Sequence, residues 1–371
     1  MSTAPAQPSR LASLDQFRGY TVAGMFLVNY IASYDSVHPI LSHHNTYCSY
    51  ADTIMPHFFF AVGVSYRLTY LRRLEKDGHS AAAWHAITRN IGLLLVGLAV
   101  YGIARDMPDR WETVSQLGLW GYITQKLSWA YMQTLVHIAL TSLFVLPVIG
   151  LRPAARIAFM VAAGVAHMLI SYFWYFQWVE STGGTIDGGP LGFMTWSIPL
   201  LLGSLAFDAM SARGSRASLK PFAVWSAVLM LLGYGLSCLN IVHNRMLGNT
   251  TSRWFVELPF VPPTLPVDMW TMNQHAGTVS YLVFSAGLSL LVLMFFIWFS
   301  DLRGIQIGVF RTLGVNALAG YIIHDMTGSA IKPLIPNDAP LYMAIISFLL
   351  YFWLTWLFLR HLEKHKLFLR L

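Results

Sequence analysis

Ten separate stretches of this 371-residue chain are apolar over a length that can cross the ~30 Å hydrocarbon core of a bilayer. They lie at about 16–34, 52–72, 86–104, 129–149, 154–174, 191–208, 221–242, 276–300, 309–325 and 341–360. Inside hydrocarbon every backbone N–H and C=O must find its partner within the protein, and an apolar stretch of this length does so by coiling into a helix. The expected fold class is therefore all-α, a polytopic transmembrane helix bundle of about ten spans. Composition agrees: 56% of residues are hydrophobic and 11% charged, with mean hydropathy +0.53, outside the range of an ordinary soluble domain. Residues 1–13 read as a mobile cytoplasmic tail and 14–371 as a single transmembrane domain. Polar residues precede and interrupt the first stretch and no small-residue cleavage site follows it, so it is expected to stay as a span.

The net charge of +7 is distributed by topology. Arg67, Arg72, Arg73, Lys76 and Arg89 flank the second connection, Arg152 and Arg156 the fourth, Arg213, Arg216 and Lys220 the sixth, and Arg303 and Arg311 the eighth. Arg360, Lys364, Lys366 and Arg370 close the chain. The intervening connections mix Arg105, Arg110 and Lys126 with Asp106, Asp109 and Glu112, and Arg245 and Arg253 with Glu257 and Asp268. That alternation is the positive-inside pattern, with both termini cytoplasmic. It makes lipid the expected surroundings, in the cytoplasmic (inner) membrane, and accounts for the basicity without nucleic acid. Cys48 and Cys238 are too few for a disulfide scaffold, although one bridge stays open. A homodimer is compatible with the reading.

Polar residues inside or beside the apolar stretches are costly and point to packing or to function. Arg18 and Asn29 are eleven residues apart, roughly 16 Å along a helix, so one sits toward each face of the membrane. Between the first two stretches lies a polar loop with His38, His43, His44 and Asn45, closed by Asp52. That loop is the expected working end. His57 lies off the Asp52 face and reads first as a packing imidazole. Gln133 and His137, four apart, are expected on one helical face, as an interhelical pair or a cavity wall. Asn316 and His324, eight apart, would approach one cavity at different depths. The connection 105–128 reads as an interfacial cap and the proline-stiffened 243–274 as a lid or rim. Histidine thus gathers toward the outside and fixed positive charge inside, which suits outer proton transfer with an anion held from the cytoplasm. It also suits a proton-coupled secondary transporter using the outer-half histidines. A zinc site from His43, His44, Cys48 and Asp52 is not expected: adjacent histidines are poor tetrahedral partners and no C-x-x-C or H-E-x-x-H accompanies them. No metal is anticipated.

Several stretches carry a likeness. RLASLDQFRGYTVAGMFLVNY at the start, Asp52 with HFFFAVGVS, YMQTLV around Gln133, PVDMWT, and LGVNALAGYIIHD with Asn316 and His324 together resemble the heparan-alpha-glucosaminide N-acetyltransferase-like family of membrane acyltransferases. The resemblance implies transfer of an acetyl group from cytoplasmic acetyl-CoA, as co-substrate, to an amino sugar or sugar hydroxyl of an extracytoplasmic glycan. On that reading Arg18 would bind a phosphate or the pantetheine arm. His43 would be the general base, oriented by Asp52, and Asn29 would donate to the developing oxyanion. Gln133, Asn316 and His324 would line the cavity that holds the donor.

Overall fold

Helix follows helix from Ala12 to Lys364 in the computed structural model, which describes residues 12–101, 110–126, 133–182, 186–249 and 252–369. Among the described residues no strand occurs. Five helical runs, Tyr50–Val100, Pro153–Ser181, Gly189–Met246, Val279–Leu302 and Leu341–Lys364, are long and apolar enough to cross a membrane, and Thr134–Ile149 is a shorter apolar helix.

The elements in order are α1 (Ala12–Ile31), α2 (Tyr50–Tyr101), α3 (Trp111–Lys126), α4 (Thr134–Ile149), α5 (Pro153–Ile170), α6 (Phe176–Ser181), α7 (Phe193–Ser237) and α8 (Leu239–Met246). Then come α9 (Val279–Phe296), α10 (Gly308–Val315), α11 (Ala317–Ile331) and α12 (Leu341–Lys364). Two π-helical turns, Ser171–Tyr175 and Ile297–Leu302, continue α5 and α9. Each apolar stretch read from the sequence is mainly helical over its described residues. Within 105–128, expected as an interfacial cap, residues 111–126 form α3, with Trp111 and Trp120 exposed; residues 1–11 of the expected tail and 102–109 and 127–132 lie outside the described residues.

The sequence predicts separate helices at 52–72 and 86–104, and at 191–208 and 221–242. In the structure single glycines, not loops, divide them. Gly78 (φ 83°) breaks α2 and Gly214 (φ 78°) breaks α7, and a residue without Cβ takes that left-handed backbone at little cost. Nine residues would span about 13 Å in a straight helix. Yet the Tyr70 hydroxyl lies 3.4 Å from His79 Nε2 across the first break, and Ser218 Oγ donates to the Ala209 carbonyl at 3.3 Å across the second. Both runs are helical hairpins.

Lipid tails are as apolar as leucine, so helices within a bilayer hold together by close approach and polar contacts. A Cβ on Gly63 would stand 1.8 Å from the Leu200 carbonyl oxygen, and one on Gly203 2.1 Å from that of Phe60. This reciprocal pair presses the first limb of α2 onto the first limb of α7. Gly19 and Gly314 do the same for α1 and α10, against the carbonyls of Phe310 and Asp15. α9 packs against α7 and reaches α2.

Two charges counted toward the cytoplasmic connections prove internal. Arg67 is 7% exposed and Arg156 fully buried. Arg67 grips both oxygens of Asp208, at 2.9 and 3.2 Å, and Arg156 pairs with the same carboxylate and with Ser204 Oγ. The cluster ties α2, α5 and α7 together. The same end of the bundle is knotted by Asp301, which accepts from the Ser13 amide and hydroxyl and from Ser215 beside the Gly214 break. The connections at that end are short; the long irregular segments, 32–49 and 252–278, lie at the other. Cys48 and Cys238 are both free.

Removing one partner of a buried ion cluster strands the rest. Asp208→Asn is expected to lower stability by about 3–5 kcal/mol, whereas Ser204→Ala, losing one charge-assisted hydrogen bond, costs about 2 kcal/mol. Thermal unfolding of the detergent-solubilised protein would give that order.

Candidate active site

Asp52 begins the site. Its Oδ2 accepts the Ser49 backbone N–H at 2.8 Å while Ser49 Oγ accepts the Asp52 N–H at 3.3 Å. This is the reciprocal capping arrangement that satisfies orphan donors at a helix start. Ser49 Oγ in turn donates to the Ser42 carbonyl at 2.8 Å, drawing the polar loop onto the cap. The second carboxylate oxygen, Oδ1, is then directed at His43 Nδ1, 2.9 Å away. Because a carboxylate accepts, Nδ1 carries the hydrogen and Nε2 is left as the basic nitrogen. Asp52 is wholly buried while the His43 side chain is 46% exposed. An imidazole oriented by a buried carboxylate is the arrangement a general base requires. From the far side, the Tyr281 hydroxyl donates to the Asp52 carbonyl and ties α9 to the site.

His43 looks into a cavity of about 360 Å³. Asn29 from the end of α1, His44, Asn45, Asp52, Met55 and Phe58 form one side, Gln133 and Thr134 another, and Tyr321, His324 and Asp325 of α11 a third. The remaining wall is Ile186, Asp187, Gln274 and His275. Five residues singled out from the sequence, Asn29, His43, Asp52, Gln133 and His324, therefore share one cavity. His44 also faces it, but its Nε2–H is donated to the Pro39 carbonyl at 2.7 Å and its ring stacks on Tyr47. His324 lies over Phe26 with ring centroids 5.5 Å apart, and its Nδ1–H is donated to the Tyr321 carbonyl.

Arg18 is elsewhere. It lines a second cavity of about 390 Å³ with His85, Arg89 and Leu369, and this cavity shares Phe58, Thr134 and Tyr321 with the first. A smaller pocket of about 60 Å³, which includes Arg73, adjoins it through Ser65, Thr69, His85 and Arg89. Asn316 lines neither cavity. It is 2% exposed at the break between α10 and α11 (φ −116°, ψ 35°), and neither amide atom has a partner among the described residues. Its neighbours Val315 and Ala317 do line the second cavity.

Two expectations change. Gln133 and His137 do not share a helical face, because α4 begins at Thr134 and Gln133 is its extended N-cap. Gln133 stays in the cavity wall, while His137 is buried behind it against Trp196. The connection at 243–274, expected as a lid or rim, supplies a wall of the site through Gln274. His57 is a packing group, with Nδ1 2.6 Å from Ser289 Oγ.

Sequence reading passed over Asp187 and Gln274. Asp187 is 5% exposed, has φ 52° and precedes two glycines that also have positive φ. The DGG run reads as a turn, and nothing in it shows that the turn folds inward. The Asp187 carbonyl accepts the Trp196 indole N–H at 2.7 Å, and Gln274 Nε2 donates to its Oδ1 at 2.8 Å. Burial pushes the Asp187 carboxyl up to about 6, against the opposing pull of Gln274 and His43. Burial alone would lower the His43 imidazole, but the hydrogen bond and charge of Asp52, with Asp187 and Gln274, hold it above its ordinary value. Among the described residues no cluster of three or more His, Cys, Asp or Glu side chains has a metal-holding arrangement.

Comparison with models of known protein families and with curated proteins finds no match.

Because Asp52 raises the His43 pKa, neutral imidazole accumulates only above the ordinary value near 6.5. Asp52→Asn removes the largest raising influence, so the neutral form appears at lower pH. The pH at which His43 becomes half-reactive to diethylpyrocarbonate, read as the difference from His43→Gln, is expected to fall in that variant.

Proposed function

We propose that this protein is a transmembrane acyltransferase that carries an acetyl group from cytoplasmic acetyl-CoA to an amino sugar or sugar hydroxyl outside the cytoplasmic membrane. The observation that carries the reading is the pair of stacked cavities: one holds a carboxylate-oriented imidazole, the other is lined by arginines, and they share Phe58, Thr134 and Tyr321. In support of this topology, the two glycine hairpins turn long helical runs into paired limbs, as ten crossings with both termini cytoplasmic would require. The end that carries Arg18, Arg73 and Arg89 then faces the cytoplasm.

Acetyl-CoA is a polyanion that cannot enter hydrocarbon, and it supplies the thioester carbonyl that is attacked. Arg18 and Arg89 favour phosphate at the inner cavity. Phe58, Thr134 and Tyr321 form a boundary suited to a thin, uncharged arm. His43 Nε2 takes the proton from the acceptor, and Asp52 stabilises the imidazolium that results. Asn29, at the cavity end of α1, is placed to donate to an oxyanion, a contribution of about 3 kcal/mol in comparable sites. Gln133 and His324 shape the volume between.

The purified protein is expected to bind radiolabelled acetyl-CoA saturably and to transfer the label to glucosamine. His43→Ala should lose about 10²–10⁴-fold in kcat while retaining acetyl-CoA binding. The rate of the native protein should fall as the pH drops through the raised His43 pKa, since the protonated ring is not a base. Absence of saturable acetyl-CoA binding would end the enzyme reading and leave the proton-coupled transporter, whose support is the same stacked cavities with titratable walls.

A further inference from the structure

The Gly78 break does more than reverse the chain, because it sets two cationic helix faces against each other. On the first limb Ser65, Thr69 and Arg73 follow at four-residue steps and share a face; on the second, Ala82, His85, Ala86 and Arg89 do the same. Arg73 and Arg89 are sixteen residues apart, roughly 24 Å along an unbroken helix. The turn nevertheless brings both to the wall of one pocket of about 60 Å³. Ala82 and Ala86, both buried, line it without filling it, which leaves room for one phosphate group and little else.

The lining is one-sided in charge. Arg73, His85 and Arg89 stand there with the hydroxyl-bearing Ser65, Tyr66 and Thr69, and among the described residues no carboxylate joins them. Arg73 has Asp77 at 3.8 Å, but the two side chains are 41% and 35% exposed, and an exposed pair at that distance holds a guanidinium only loosely. Arg89 donates to the Asn90 side-chain oxygen at 3.3 Å, a neutral partner. Two guanidiniums facing one small space repel each other until an anion enters. Tyr66 gives a second, independent sign. It is 6% exposed, it lines the pocket, and its buried hydroxyl has no hydrogen-bond partner among the described residues. A buried donor in that state is unfavourable until an acceptor reaches it. A tetrahedral oxyanion answers both needs, with negative charge for the guanidiniums and acceptor oxygens for Tyr66.

The outside of the second limb indicates where that oxyanion comes from. Trp84, Ile91 and Leu95 are exposed, and their spacing puts them on one stripe beside that of His85 and Arg89. An acyl chain can lie along this stripe while its headgroup reaches the pocket, and basic pockets between membrane helices suit anionic headgroups. We propose that the Gly78 hairpin binds the headgroup phosphate of an anionic phospholipid, with Arg73 and Arg89 pairing its charge and Tyr66 donating to one of its oxygens. The leaflet is the one at that end of the bundle, cytoplasmic on the proposed topology. The site shares His85 and Arg89 with the inner cavity but not Arg73 or Tyr66, so it lies beside that cavity and stands without the acyltransferase reading.

Native mass spectrometry of the full chain, released from detergent micelles, would compare phosphatidylglycerol with phosphatidylcholine of the same acyl chains. Phosphatidylglycerol is expected to bind about tenfold more tightly, the effect of one charge-assisted hydrogen bond. Arg73→Gln should erase that preference while leaving phosphatidylcholine affinity and, measured separately, acetyl-CoA affinity within about twofold. Tyr66→Phe should also weaken phosphatidylglycerol, yet leave the melting temperature of the lipid-free protein no lower, since it deletes a hydroxyl with nothing to bond; it serves if Arg73→Gln does not fold. Equal affinity for the two lipids in the native protein, or an unchanged preference in Arg73→Gln, would overturn the proposal. So would inorganic phosphate displacing phosphatidylglycerol at a like concentration, which would mark a site for a free anion. A loss of acetyl-CoA binding in Arg73→Gln equal to the loss of lipid would likewise overturn it and give the pocket to the donor. Lipid preference in a protein that binds no acetyl-CoA would keep this site and end the acyltransferase reading.

Discussion

The Asp52 carboxylate does two jobs with its two oxygens, and the site depends on their being inseparable. One oxygen closes the amino-terminal cap of α2 on Ser49, and the other points the His43 ring into the cavity. A helix start is among the most strongly determined local structures in a chain, since its first N–H groups must be satisfied. Placing the orienting carboxylate there means that the imidazole inherits the rigidity of a long helix although it sits on a loop. Tyr281 extends that rigidity to α9, and through the packing of α9 on α7 to the centre of the bundle. An imidazole on an irregular segment is thus held by a helix start, as the proposed proton transfer at a defined distance would require.

The bundle around this point is held by contacts suited to lipid surroundings. Reciprocal glycine contacts bring backbones together at Gly63 with Gly203 and at Gly19 with Gly314, and a buried carboxylate joins three helices through Arg67 and Arg156. Neither device draws on the hydrophobic effect. Both work equally well when the outer surface is solvated by hydrocarbon.

Much of this was legible in the chain. Helical class follows from apolar length, and the grouping of Asn29, His43, Asp52, Gln133 and His324 at one end follows from their positions along successive stretches. What could not be read is where non-helical backbone goes. Asp187 sits in a glycine turn whose inward course is set by the Trp196 indole, and Gln274 reaches the cavity from a proline-rich connection. Neither has a local pattern, since each is placed by tertiary contacts formed far away in sequence. Gln133 shows the same limit: a four-residue interval implies a shared face only if the helix already includes it, and here the helix starts one residue later. Arg67 and Arg156 show that a basic residue near a connection is not necessarily a residue in it.

Among the described residues, the reversals at Gly78 and Gly214 leave little irregular polypeptide at their end of the molecule, while the segments 32–49 and 252–278 give the opposite end a broad irregular relief. A binding protein such as an antibody fragment needs protruding backbone to grip, and among the described residues finds most of it on that face. For imaging a particle this small, an orientation marker attached there would sit directly over the mouth of the outer cavity. Its footprint would report whether that mouth is open.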